Sequence, residues 1–328
     1  MPRLSIAIPT VNRAYLLGRA IESALAQTSA DVEILVSDNG SSDETPQVIE
    51  SFAGRGLRTF RHSSTMSAAR HGQFLIEQAT GEFFLGLSDD DYLEPEFAAE
   101  VLAAWDRHPE SAFVYTGCAV HYDDIQVPAL VGPPLEPGPD FLAQHYSGKR
   151  EICWCACVTR VRDLRELGPQ PDDRIMGDLF FWSQLLFRGP VGCVPRILSH
   201  YILLRQRNDN ISHGTSPEIW GRESKLQAEE NIRISRQRGA AAEYLANLER
   251  ESKRHIARST ANQFVWTRVR GASISSALSW SLDCLPYLSF TWPVVSRLGA
   301  ALLLPRTLLK TMLLKGVAGI AASRRGAG

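Results

Sequence analysis

Over its first 93 residues the chain alternates short β-rich runs with helical ones, and the β-rich runs end in polar clusters. Leu4 to Pro9 is apolar, β-rich and closed by proline, and Leu17, Ala20, Ile21, Ala24 and Leu25 then recur at helical spacing between Ala14 and Gln27. Val32 to Ser37 reads as a second strand ended by the turn residues Asp38 to Ser42, with a helix from Glu44 to Phe52. Arg58 to His62 and Ser67 to Ala79 repeat the pair, and Glu82 to Leu87 gives a fourth strand, buried on both faces and ended by Ser88, Asp89, Asp90 and Asp91. Such alternation predicts an α/β fold with a mainly parallel sheet covered by helices. Ligands of such sheets sit beyond the strand carboxyl ends, where loops converge and helix N-termini present free N–H groups. Pro9 to Arg13, Asp38 to Gly40 and the acidic triplet therefore share one expected pocket.

At 44% hydrophobic and 22% charged, 328 residues can bury one large core or two modest ones, which excludes a disordered or fibrous chain. The formal net charge of −1 argues against a nucleic-acid binder held by phosphate contacts. It hides an asymmetry: residues 1–215 carry 18 Lys and Arg against 28 Asp and Glu, a net of −10, and residues 216–328 carry 17 against 8, a net of +9. The two parts are expected to meet different partners. Six cysteines, unevenly spread, do not make a secreted disulfide scaffold, and no signal-peptide pattern opens the chain, so a reducing, cytoplasmic compartment is expected. The apolar region from Leu285 onward is broken by Pro286, Pro293, Arg297, Pro305, Arg306, Lys310 and Lys315, short of the ~20 clean apolar residues of a spanning helix.

After Tyr92 the pattern predicts a helix from Glu96 to Arg107, a strand from Ala112 to Tyr115, a Pro/Gly-rich loop from Val127 to Pro139 and a strand from Ile152 to Val158. An apolar helix follows Gly177 and Asp178, then a strand from Ile197 to Leu204 and a polar loop from Arg205 to His213. The expected division is a domain over 1–215, with halves 1–93 and 94–215, then a helical region over 216–328 that ends in an amphipathic basic tail, 284–328. Cys153, Cys155 and Cys157 alternate, which on a strand puts three thiols on one face. Zinc sites favour Cys-x-x-Cys turns, so these read as small buried hydrophobes.

Four segments, in this order and spacing, resemble the motifs of family 2 glycosyltransferases: Ile6 to Arg13, Ile34 to Asp43, Ala69 to Gly72 and Gly81 to Asp91. The match is close over residues 1–93 and loose over 94–215. The resemblance implies the GT-A fold and inverting transfer of a sugar from a nucleotide diphosphate donor, usually with Mn²⁺ or Mg²⁺. By the same resemblance, Pro9, Thr10, Asn12 and Arg13 match the loop that frames the nucleoside. Asp38 matches the carboxylate that accepts a hydrogen bond from a pyrimidine base, leaving UDP-, dTDP- and CDP-sugars open. Arg70 resembles the basic residue near the diphosphate. Asp90 matches the metal-binding last carboxylate of the family's DxD motif, with Asp89 beside it.

Two positions depart from the pattern. Ser88 stands where the motif's first aspartate is usual, which weakens a cation site, and Arg207 stands where a histidine often holds the metal or diphosphate. Arg207 cannot ligate a cation but can contact the diphosphate, leaving His200 and His213 as lesser candidates for a ligand. Asp178, ahead of an apolar helix, resembles the family's catalytic Asp/Glu segment, the base that takes the acceptor's proton. The same residue also reads as a helix cap, and Asp172 and Asp173 are nearby rivals. Trp154 and Trp182 are candidates to stack on an acceptor sugar.

From Cys284 to the end there are six basic residues and no acidic one. On a helical wheel Arg306, Thr307, Lys310, Thr311 and Lys315 share one half, and Leu308, Leu309, Met312, Leu313, Gly316 and Ile320 the other. Such a helix fits the plane of an anionic leaflet, and also fits packing on its own domain or a partner subunit. The expected protein is a non-processive transferase at the inner face of the cell membrane, moving a sugar to a glycan or lipid-linked acceptor in cell-surface polysaccharide or glycolipid assembly. Nucleic acid is not an expected partner. Ser88 and Arg207 keep open a catalytically silent nucleotide- or partner-binding protein, whereas a Rossmann dehydrogenase is disfavoured because residues 9–13 lack the glycines of a dinucleotide loop.

Overall fold

The computed structural model describes residues 2–122, 124–172, 174, 177–204, 215–276, 279, 284–288 and 292–325. The chain forms two compact units, one of Met1–His121, Pro128–Phe141 and Arg150–Leu203, the other of Tyr122–Val127, Leu142–Lys149 and Leu204–Gly328.

In the first unit β1 (Leu4–Thr10), α1 (Ala14–Leu25), β2 (Val32–Asp38), α2 (Thr45–Glu50), β3 (Leu57–Arg61), α3 (Ala68–Gln78) and β4 (Phe83–Gly86) alternate. β1 pairs in parallel with both β2 and β4, and β2 with β3, giving the order β3-β2-β1-β4. Leu4, Ile6, Ile8, Leu35, Val36 and Leu85 are buried, as strands covered on both faces require. α1 packs Leu17, Ala20, Ile21 and Ala24 into the same core. α3 starts at Ser67, whose hydroxyl accepts a hydrogen bond from the Arg70 backbone N–H at 3.3 Å.

The sheet continues past β4 through β9 (Cys157–Arg160), β6 (Phe113–Tyr122), β10 (Val191–Leu204) and β5 (Tyr92–Leu93). The β4–β9, β9–β6 and β10–β5 pairs are antiparallel. α4 (Phe97–Arg107) buries Phe97, Val101 and Trp105, and the Trp105 ring stacks on Phe83 at 4.6 Å. The remaining elements are β7 (Ile125–Pro128), β8 (Leu135–Glu136), α5 (Gly138–Tyr146), α6 (Val161–Leu167) and α7 (Gly177–Leu185).

Three expectations change. The segment expected as a strand over 152–158 opens with a single 3₁₀ turn, Trp154–Ala156, and β9 begins only at Cys157. The three thiols therefore do not share a strand face, although Cys155 and Cys157 are buried. The turn lays the Trp154 indole on Gly86, where a Cβ would lie 2.3 Å from its Nε1, so only glycine fits at the end of β4. Secondly, β6 and β10 run longer than their apolar runs, each through a residue that reads as a breaker. Gly117 sits where a Cβ would come within 2.6 Å of the Arg196 carbonyl oxygen, and Pro195 lies inside β10. Thirdly, the loop over 127–139 contains β8, which pairs antiparallel with β10.

In the second unit α8 (Pro217–Gln237), α9 (Ala242–Arg270), α10 (Trp292–Leu303) and α11 (Arg306–Arg325) form a helical bundle around Phe264, Val265, Val269, Ala301 and Leu309. Two guanidinium groups serve helix ends, where carbonyls lack helical partners: Arg306 Nε donates to the Val269 carbonyl at 2.6 Å and Arg268 Nε to the Ala301 carbonyl at 3.0 Å. α11 buries Leu309, Val317 and Ala321, with Leu313 partly covered. Leu309 and Leu313, grouped by the helical wheel with the apolar half, thus belong to the unit's own core, while Leu308, Met312 and Ile320 stay exposed. No helix among the described residues is long and apolar enough to cross a membrane.

Candidate active site

The carboxyl ends of β1, β2 and β4 are adjacent because their strands are, and side chains from the three ends meet. At the end of β1, Thr10 Oγ1 donates to Asp89 Oδ2 at 2.7 Å. Arg13 reaches the same residue, its Nη1 lying 2.6 Å from Asp89 Oδ1 and 3.3 Å from Asp90 Oδ2. Arg19, in the second turn of α1, donates Nη2 to the Asp90 carbonyl at 2.6 Å and lays its guanidinium over the Tyr92 ring. Between Thr10 and Arg13 the backbone turns sharply at Asn12, which has φ 54°. Asn12 is pinned there by its N–H to Ser41 Oγ (2.8 Å) and by the Ser42 N–H to its Oδ1 (2.8 Å).

The end of β2 is equally fixed. Asp38 is fully buried; Oδ1 accepts the Ser41 N–H at 2.8 Å, and Oδ2 makes no hydrogen bond and lies 3.4 Å from Arg61 Nε. Asn39 holds Met66 by both backbone groups, at 3.0 Å each. Gly40 has φ +77° and a Cβ there would approach Ser64 carbonyl carbon to 2.9 Å, which reserves the position for glycine.

The acidic triplet is not three equivalent charges. Burial pushes the Asp89 carboxyl up to about 6, with Arg13 pulling it back down. Asp90 is raised by burial as well, again opposed by Arg13. Asp91 is raised furthest, by burial and then by the charge of Asp90, and its Oδ1 accepts the Ile202 N–H at 2.9 Å. Asp91 is therefore a structural group inside the sheet, tying β4's exit to β10.

Arg70, on the first turn of α3, pairs with Asp172 (Nε to Oδ2, 3.4 Å), and Ser67 also hydrogen-bonds Asp172. Asp178 is the second residue of α7, and its side chain lies outside the described residues. Asp173, Arg207 and His213 also lie outside them. His200 has both ring nitrogens engaged, with Glu94 Oε1 at 2.8 Å and His121 Nε2 at 2.9 Å, so it offers no lone pair to a cation. Trp154 and Trp182 lie with ring centroids 6.1 Å apart, Trp182 buried and Trp154 partly open. The structure thus joins Thr10, Arg13, Asp89 and Asp90 directly and holds Asn12 and Asp38 by their shared bonds to Ser41. Arg19, Arg61 and the Asp172 pairing carry no signal in the sequence beyond their charge.

The donor set for a divalent cation is narrow. Both oxygens of Asp89 are engaged and Asp91 is bound to the Ile202 N–H inside the sheet, leaving Asp90, itself buried and shared with Arg13 at the longer distance of 3.3 Å; no three His, Cys, Asp or Glu side chains among the described residues are grouped to hold a metal. One carboxylate fits a cation that takes its other ligands from a bound diphosphate and water, as Mg²⁺ commonly does.

The Glycosyl transferase family 2 model matches residues 5–167. GalNAc(5)-diNAcBac-PP-undecaprenol beta-1,3-glucosyltransferase of Campylobacter jejuni is 30% identical over 157 residues, covering 45% of this chain and 50% of that protein. A PGL/p-HBAD biosynthesis glycosyltransferase of Mycobacterium bovis is 37% identical over 120 residues, 35% of this chain and 46% of the relative. The chain spans about half the length of these curated relatives. In fold it is similar to S. aureus TarS in complex with UDP-GlcNAc (TM-score 0.62, 16% identity, 99% of this chain and 92% of the other). It is also similar to the Pyrobaculum calidifontis mannosyltransferase PcManGT in complex with GDP-Man and Mn²⁺ (TM-score 0.54, 17% identity, 92% and 86%). Residues 5–167 of this chain are a glycosyl transferase family 2 domain.

Proposed function

We propose that this chain is an inverting, non-processive glycosyltransferase that moves a sugar from a UDP-, dTDP- or CDP-sugar to a hydroxyl of a cell-surface glycan or lipid-linked acceptor. The observation that carries this reading is the meeting of Thr10, Arg13, Asp89 and Asp90 beside the buried Asp38 at adjacent parallel strand ends. The relatives named for an undecaprenol-linked glycan and for PGL biosynthesis support the class of acceptor.

In this reading Pro9, Thr10, Asn12 and Ser88 shape the donor pocket and Asp38 accepts the base N–H, while Arg70 and Arg207 offset the charge of the diphosphate. Asp178 takes the proton of the acceptor hydroxyl as its oxygen attacks the anomeric carbon. Asp90 is the residue to hold Mn²⁺ or Mg²⁺; bound there, the ion supplies positive charge to the departing nucleotide. Residues 284–328 carry the membrane part of the proposal. Leu308, Met312 and Ile320 are exposed on α11 beside exposed Lys310 and Lys315, with no acidic residue in the segment, so an anionic lipid surface on the inner face of the cell membrane complements it.

The test is a screen of nucleotide sugars against the purified chain, with and without Mn²⁺, read as thermal stabilisation and as release of nucleoside diphosphate with a lipid-linked glycan acceptor. A pyrimidine-linked sugar that stabilises the chain and is consumed supports the reading. Stabilisation with no turnover favours the silent binding protein instead, and no response to any nucleotide sugar refutes both.

A further inference from the structure

We propose that Arg13 is a built-in counter-cation that excludes a free divalent ion from Asp90, so that this chain takes up its metal together with the donor diphosphate and not before it. The inference rests on the reading of Asp90 given above. One guanidinium nitrogen, Arg13 Nη1, spans both carboxylates, at 2.6 Å from Asp89 and 3.3 Å from Asp90. The group is held in place, not merely nearby. Its side chain is only 14% exposed, Asp89 is itself anchored by Thr10, and the Arg13 backbone N–H is bonded to Thr45 Oγ1 at 3.1 Å. Arg19 adds a second guanidinium at the Asp90 carbonyl.

Arg13 and Arg19 offset the charges of Asp89 and Asp90, so a doubly charged ion approaching Asp90 alone meets no net negative charge from these four groups and a carboxylate already shared with Arg13. Ser88 contributes no charge to offset this. A diphosphate changes both terms, since its oxygens neutralise the guanidinium groups and complete the ion's coordination. Because binding free energies are reciprocal, the ion must then tighten donor binding by the same factor that the donor tightens the ion's.

The experiment is Mn²⁺ binding to the full chain, followed by electron paramagnetic resonance, with and without saturating UDP. The intact chain is expected to bind Mn²⁺ alone at least about tenfold more weakly than Arg13→Gln, the order expected for removing a close like charge. UDP is expected to tighten Mn²⁺ on the intact chain by at least about the same factor. Arg13→Lys, which keeps the charge, should stay with the intact chain, and Arg13→Gln combined with Asp90→Asn should lose the gain. Equal Mn²⁺ affinity for intact chain and a folded Arg13→Gln overturns the inference. Should Arg13→Gln not fold, the UDP arm decides alone: Mn²⁺ affinity unchanged by bound UDP overturns it equally. Failure of the enzyme reading shows elsewhere, as absence of turnover, and leaves the comparison made without nucleotide intact.

Discussion

Arg61 Nε on β3 lies 3.4 Å from Oδ2 of Asp38 at the end of β2, over an oxygen that makes no hydrogen bond. The Arg61 side chain is 62% exposed, so the pair is weakly held and a base reaching Asp38 displaces it at little cost. Asp38→Asn is expected to weaken UDP binding at least about tenfold, since a hydrogen bond to a charged acceptor is worth about 1.5–3 kcal/mol. Arg61→Ala is expected to leave UDP affinity equal or tighter. Calorimetric titration with UDP measures both, and an unchanged Asp38→Asn affinity removes Asp38 from base recognition.

Arg70 is neutralised by Asp172 across an exposed pair at 3.4 Å. A diphosphate must compete with that carboxylate for the guanidinium. Asp172→Ala is therefore expected to tighten UDP a few-fold and Arg70→Ala to weaken it, with surface pairs of this kind worth about 0.2–1 kcal/mol. If Asp172→Ala instead abolishes transfer while UDP binding holds, Asp172 and not Asp178 is the base.

Glu33 tests the scaffold apart from the site. Its Oε1 accepts Ser5 Oγ at 2.5 Å, Thr80 N–H at 2.5 Å and Gly81 N–H at 3.1 Å, and its Oε2 accepts Arg58 Nη1 at 2.6 Å, joining β1, β2, β3 and the approach to β4. Burial works against the charged form, but the hydrogen bonds from Ser5, Thr80 and Arg58 outweigh it and hold the carboxyl at about 2, below its ordinary 4.5. A depressed folded value means the stabilisation is complete above about 4.5 and disappears as pH falls toward 2. Glu33→Gln should cost about 2 kcal/mol at neutral pH and flatten the loss of stability in that acid window. Denaturant unfolding between pH 2 and 7 measures this; a variant with the same acid slope as the parent removes Glu33 from it.

The parallel half of the fold was legible because β1, β2 and β4 are short apolar runs closed by turn residues, and the polar residues at those closures are the ones that meet. The antiparallel half was less so. The runs read as strands stop at Tyr115 and start at Ile197, yet β10 carries Pro195 within it and β6 continues through Gly117, which allows the approach of Arg196. Cys153 to Cys157 reads as a strand by composition, whereas contact of Trp154 with Gly86 accompanies a 3₁₀ turn there. In the site, two adjacent carboxylates called for a positive partner. That Arg13, 76 residues away from Asp89 in sequence, supplies it is a tertiary fact that spacing does not encode.

The tail makes a separable forecast. Met312→Glu places a charge on the exposed apolar stripe of α11 without touching the buried Leu309, Val317 and Ala321. Sedimentation with vesicles containing anionic lipid should show binding reduced several-fold, with further loss at high salt. Unaltered binding by Met312→Glu places the membrane contact elsewhere.

Asp178→Asn bears most directly on the chemistry. Replacing the base by an amide should lower turnover of a pyrimidine-linked sugar by about 10²–10⁴-fold while UDP affinity stays that of the parent, because the proton is moved only during reaction. Turnover within a factor of about two of the parent, at equal UDP affinity, contradicts the role given to Asp178 and with it the proposed mechanism.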